Sequence, residues 1–107
     1  MKILELPLKS EWYLMIESGV KKEEYREIKS YWSKRLVGHE TPLFSHRYGY
    51  QQANVKDYTH VRFRYGNTKR TMLFKIEEIV IGRGSPEWGA PTDKDVFIIK
   101  FGERIEK

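Results

Sequence analysis

His60-Val61-Arg62-Phe63-Arg64-Tyr65 alternates strictly, with Val61, Phe63 and Tyr65 on one face and His60, Arg62 and Arg64 on the other. That two-residue period predicts a half-buried strand, the clearest in the chain. Gly66-Asn67 supplies turn chemistry, and Met72, Phe74 and Ile76 alternate in the segment that returns. Residues 60 to 80 therefore read as a hairpin with a loose turn, and Glu77-Glu78 marks an expected bulge before Ile79 and Ile81. Beyond a loop from Gly82 to Pro91, the nearly continuous apolar run Val96 to Phe101 predicts a buried last strand.

Working back from the hairpin, Leu4, Leu6 and Leu8 alternate as in a short first strand, and Pro7 points to a sheet edge or a strand end. Ser10 is the expected N-cap of a helix over about 10 to 18. Glu11 suits the positive end of its dipole, and Trp12, Met15 and Ile16 recur at helical spacing. Gly19 sits where a C-terminal cap glycine belongs. Lys21 to Arg26 then reads as a short extended segment, Ser30 to Leu36 as a second short helix ending at Gly38, and the next twenty residues as a long loop. Strands with two short early helices predict an α+β barrel.

With 107 residues, no internal repeat and no linker, the chain is expected to be one domain, residues 1–107. The 39% apolar and 14% aromatic content belongs to a folded protein rather than a disordered one. Absence of cysteine excludes a disulfide scaffold and a thiolate metal site, and fits a cytoplasmic location. Met1 to Pro7 lacks the apolar stretch of a signal peptide, and no segment approaches membrane-spanning length, so neither secretion nor membrane insertion is expected. His39, His46 and His60 have no metal-ligand spacing, and neither a phosphate-binding glycine loop nor a nucleophile elbow occurs, so no metal or cofactor is expected.

The net charge of +5 is unevenly spread. Residues 41 to 76 carry seven basic side chains (Arg47, Lys56, Arg62, Arg64, Lys69, Arg70 and Lys75) against the single acid Asp57. Such a segment suits a polyanion, although uneven charge also occurs on surfaces that bind nothing. Arg62 and Arg64, with Lys69 and Arg70 near the turn, offer a track for a nucleic-acid backbone. Tyr48, Tyr50, Tyr58 and Tyr65 are candidates for stacking on unpaired bases, with Tyr65 better explained as core. Trp88, set among Gly and Pro, either plugs the end of a barrel or stands out as a platform, and the plug is the preferred reading.

Gly19-Val20-Lys21-Lys22-Glu23-Glu24-Tyr25-Arg26 holds all four fixed positions of a GxKxxExR signature and resembles the ASCH family, with a strand and helix before it and strands after it. The resemblance spans the whole chain. It implies a small PUA-like β-barrel with a cleft beside the motif, in a superfamily associated largely with RNA. Glu24 and Arg26, two apart in an extended segment, share a face and can pair. With Lys21 at the turn they form a trio suited to a phosphate or a base edge. The plainer alternative is an ion pair at a helix-to-strand junction.

Two functions of different class follow. The leading one is an RNA-binding domain, monomeric, in which Lys21, Glu24 and Arg26 recognise a nucleotide and Arg62, Arg64, Lys69 and Arg70 hold the backbone. The alternative is a metal-independent hydrolase, because some ASCH-like proteins are amidohydrolases on acylated cytidine and ribonuclease activity is conceivable for the fold. Those amidohydrolases use a Lys, a Thr and a Glu. Lys21 matches the Lys, Glu24 stands where the Thr is expected, and Lys75, Glu77 or Glu78 have no fixed register. In that case Lys21 would activate the attacking group and Glu24 move the proton. An interaction domain with an acidic protein partner is a third possibility.

Overall fold

The structure is a computed structural model and describes residues 1–36, 51–52 and 58–105. In chain order the elements are β1 (Ile3–Leu8), α1 (Ser10–Glu17), β2 (Glu23–Glu27), α2 (Ser30–Leu36), β3 (Gln51–Gln52), β4 (His60–Tyr65), β5 (Thr71–Gly82) and β6 (Val96–Arg104), with a 3-10 turn at Pro86–Trp88. The class is α+β, with two short helices near the N-terminus as expected. No helix among the described residues is long and apolar enough to cross a membrane. The chain forms two compact units, one of residues 1–22, 57–77 and 101–107, the other of 23–56 and 78–100. β5 and β6 contribute to both.

In the first unit the strand order is β1-β4-β5-β6. β1 runs parallel to β4, placing Leu4 beside Val61, Leu6 beside Phe63 and Glu5 beside Arg62. β4 and β5 form the anticipated antiparallel hairpin, with Val61 opposite Phe74 and Phe63 opposite Met72. One face of these strands is therefore apolar throughout, and Leu4, Leu6, Val61, Phe63 and Met72 are buried together with Tyr13 and Ile16 of α1. The rings of Phe63, Phe74 and Phe101 meet with centroids 5.0 to 5.8 Å apart, a spacing at which offset and edge-on aromatic pairs attract.

The helix start differs from expectation. Lys9, extended at φ −64° and ψ 152°, is the N-cap of α1, and Ser10 is already helical. The cause is that the Lys9 carbonyl accepts the first helical bond, from the Tyr13 N–H at 3.1 Å. No side chain caps this end. The far end follows the sequence. Gly19 takes a left-handed φ of +87°, and the N–H groups of Val20 and Lys21 both turn back to the Met15 carbonyl at 3.0 Å, as a C-terminal glycine cap requires.

In the second unit β6 pairs antiparallel with β2, and β3 pairs with β5 through Gln51 opposite Ile81 and Gln52 opposite Val80. That two-residue strand lies within the stretch read as loop. Residues 37–50 and 53–57, with Gly38, His39, His46, Arg47, Tyr48, Tyr50 and Lys56, lie outside the described residues. The run Val96-Phe97-Ile98-Ile99 is buried at every position, as expected of a strand covered on both faces. Tyr25, Val80, Ala90, Val96 and Ile98 form one apolar cluster, and Trp88 packs half-buried against it. Trp88 is thus a packing residue here.

At Glu77 and Glu78, where a bulge was expected, two consecutive residues of β5 are exposed, so the alternation of the strand slips at that point. Ile76 is in consequence only half buried.

Candidate functional site

The outward face of β4 is as the alternation implied: His60, Arg62 and Arg64 are each partly exposed, between the buried Val61 and Phe63. The parallel neighbour decides their chemistry. Glu5 lies beside Arg62 in register and accepts from its Nη1 at 2.5 Å, while Arg64 Nη2 is 3.9 Å from the other Glu5 oxygen. Two guanidinium groups share one carboxylate, so this face remains positive. Arg64 also donates to the Thr68 carbonyl at 3.2 Å, which fixes it along the hairpin turn. Lys75 lies across from His60 on β5 and is exposed, as is Lys69 in the turn.

Arg70 is placed differently. Its Nη2 donates to both Glu17 oxygens, at 2.8 and 3.0 Å. Its guanidinium lies 5.3 Å from the Tyr13 ring and 5.0 Å from that of Tyr65, and the two rings meet edge-on at 5.1 Å. Burial raises the Tyr13 phenol above its ordinary value, partly opposed by the adjacent guanidinium. The Glu17 hydrogen bonds raise Arg70 itself. Tyr65 is therefore committed to packing. Tyr58, half-buried, has the Lys2 Nζ 5.2 Å above its ring.

Of the signature residues, Lys21 belongs to the first unit, where it is 1% exposed with its Nζ 4.9 Å from the Trp12 ring. Burial of an ammonium against an indole face is costly unless the cation is compensated, and the ring quadrupole supplies part of that compensation. Glu24 and Arg26 belong to the second unit and do pair: Arg26 Nη1 donates to Glu24 Oε2 and, at 3.1 Å, to the Tyr25 carbonyl. Glu24 is 4% exposed, so the pair is largely withdrawn from water.

Tyr25, between them, anchors β2. Its hydroxyl donates to Glu23 Oε1 at 2.8 Å and accepts from the Ser85 N–H at 3.0 Å, and its ring lies over Gly84. A Cβ at Gly84 would come within 2.5 to 2.8 Å of the Tyr25 ring carbons, so the ring or the backbone would have to move.

Sequence reasoning missed the aromatic wall beside this pair. The Arg26 guanidinium lies 5.1 Å from the Trp32 ring, and Arg35 lies 5.7 Å from the same ring and 5.5 Å from Tyr31. Tyr31 and Trp32 meet edge-on at 4.8 Å, and Tyr31 is exposed. The spacing of Tyr31 and Trp32 from Arg35, four and three residues on one helix, was the available signal. Among the described residues no three His, Asp or Glu side chains gather so as to hold a metal ion. Compared with protein-family models, with curated proteins and with solved structures, the chain matches none.

Proposed function

We propose that this chain is an RNA-binding domain of the ASCH kind with a PUA-like barrel, acting in the cytoplasm. The observation that carries the reading is the outward face of β4, where Arg62 and Arg64 share the single carboxylate of Glu5. It lies in a unit that holds eleven Lys and Arg against seven Asp and Glu, a net of +4, where the other unit nets only +1. A phosphate backbone is attracted by such a face and displaces counterions from it. The buried Glu24–Arg26 pair supplies a directional element, since a guanidinium held by a carboxylate and backed by Trp32 presents its donors in a fixed orientation. It recognises a nucleotide through the donors of Arg26.

Fluorescence anisotropy of a labelled, structured RNA across a salt series tests this. Affinity falls linearly in log salt, and falls further in an Arg62→Ala/Arg64→Ala variant. An RNA that does not bind at low salt overturns the reading. RNA cleaved during the titration turns it toward the hydrolase alternative.

A further inference from the structure

The basic residues around the hairpin are not equivalent, and their partners sort them. Arg70 is matched one to one by Glu17 and wedged between Tyr13 and Tyr65. Its guanidinium stays half exposed, and its charge is balanced by the Glu17 carboxylate. Lys69, its chain neighbour, is exposed and has no ion-pair partner among the described residues. The same holds for Lys9, which no reading of the sequence singled out.

The hairpin turn is bonded to the segment that carries Lys9. The Gly66 N–H donates to the Leu8 carbonyl at 2.9 Å, so the first residue of the turn is bonded to the residue immediately before Lys9. Gly66 takes φ +57°, which permits the sharp turn there. The turn is held closed by Thr68, whose hydroxyl donates to the Tyr65 carbonyl at 2.7 Å and accepts from the Arg70 N–H at 3.1 Å. Tyr65 N–H to Arg70 carbonyl, at 2.9 Å, completes the closure. Lys69 therefore stands on a turn tied to the β1–α1 junction that carries Lys9, and Arg64 at the end of β4 donates to the Thr68 carbonyl within this turn.

We infer that Lys9 and Lys69 extend the backbone track of β4 over the hairpin tip and contact phosphates of the bound RNA, while Arg70 is a positioning residue that locks the tip to α1. This rests on the RNA-binding reading and refines which side chains carry it. Lysine suits the task as a mobile point charge that follows a backbone without fixing its geometry. Neither residue is needed to close a helix or a turn through its side chain, so both can be replaced without loss of fold.

The test measures the slope of log affinity against log salt for the same structured RNA with the wild type, Lys9→Gln/Lys69→Gln and Arg70→Gln. Loss of two phosphate contacts lowers the slope by about 1.4 to 1.8. The double lysine variant is expected to show that loss with an unchanged melting temperature. Arg70→Gln is expected to melt lower, with the wild-type slope at a temperature where it is folded. A steep wild-type slope that the lysine variant retains, or that Arg70→Gln reduces as much, overturns the inference alone. A wild type without salt-dependent binding removes the RNA reading beneath it.

Discussion

Arg70 and Glu17, 53 positions apart, are joined by two hydrogen bonds of 2.8 and 3.0 Å that tie the hairpin turn to the last turn of α1. The planar fork of the guanidinium meets a carboxylate edge and is backed on either hand by a tyrosine ring. Glu17→Gln and Arg70→Gln are each expected to lower the melting temperature by a few degrees, and the double variant to lose little more than one single. Arg70→Lys is expected to recover only part of the loss, because an ammonium cannot reproduce the paired bonds. Thermal melts of the four variants check this, and strictly additive losses would show the two residues uncoupled.

Tyr13 gives the alkaline limb of stability its sign. Burial raises its phenol above the ordinary value of 10.0. The unfolded chain therefore loses this proton first. The stabilisation is complete below about pH 10 and is lost as pH rises through the folded-state value. Denaturant unfolding between pH 9 and pH 11 is expected to show a steeper decline for the wild type than for Tyr13→Phe.

Gly84→Ala tests how β2 is anchored. The added methyl meets Tyr25 ring carbons and the Ala90 Cβ, all under 3.0 Å. Overpacking of this kind costs about 1 to 3 kcal/mol. Tyr25→Phe, which deletes the hydroxyl linking Glu23 and the Ser85 N–H, is expected to cost about 1 to 2 kcal/mol. Chemical denaturation of both variants gives these values directly.

At the signature pair, removing one partner strands the other. Arg26 is 17% exposed at its side chain and Glu24 5%. Glu24→Ala and Arg26→Ala are each expected to destabilise by about 3 kcal/mol, and Glu24→Leu/Arg26→Met by less than the sum of the single losses. Denaturant unfolding of the three variants is the measurement.

The parts of this fold that follow from local periodicity were legible. The two-residue alternation of β4 and the returning β5, the helical spacing of Trp12, Met15 and Ile16, Gly19 at the end of α1, and the bounds of α2 are all fixed by residues within a few positions of one another. Ser10 misled because a serine before an apolar repeat usually caps, whereas here the Lys9 carbonyl receives the first helical bond. What stayed hidden depends on register between distant segments. That β1 lies parallel to β4, bringing Glu5 to Arg62, cannot be read from either strand alone. Nor can the capture of Arg70 by Glu17, which separates one arginine of the basic segment from its neighbours. The Glu24–Arg26 pair was legible because both residues sit on one strand, and its Trp32 wall was not, because it arrives on the next helix.

The most direct test of RNA binding is the backbone amide spectrum of the isotope-labelled protein during titration with a structured RNA. Shifts are expected to concentrate at residues 60–70 and around Lys9, with a second group at Glu24, Arg26 and Tyr31 to Arg35. A spectrum unchanged at saturating RNA and low salt, or shifts confined to other residues, would contradict the assignment of this face to RNA.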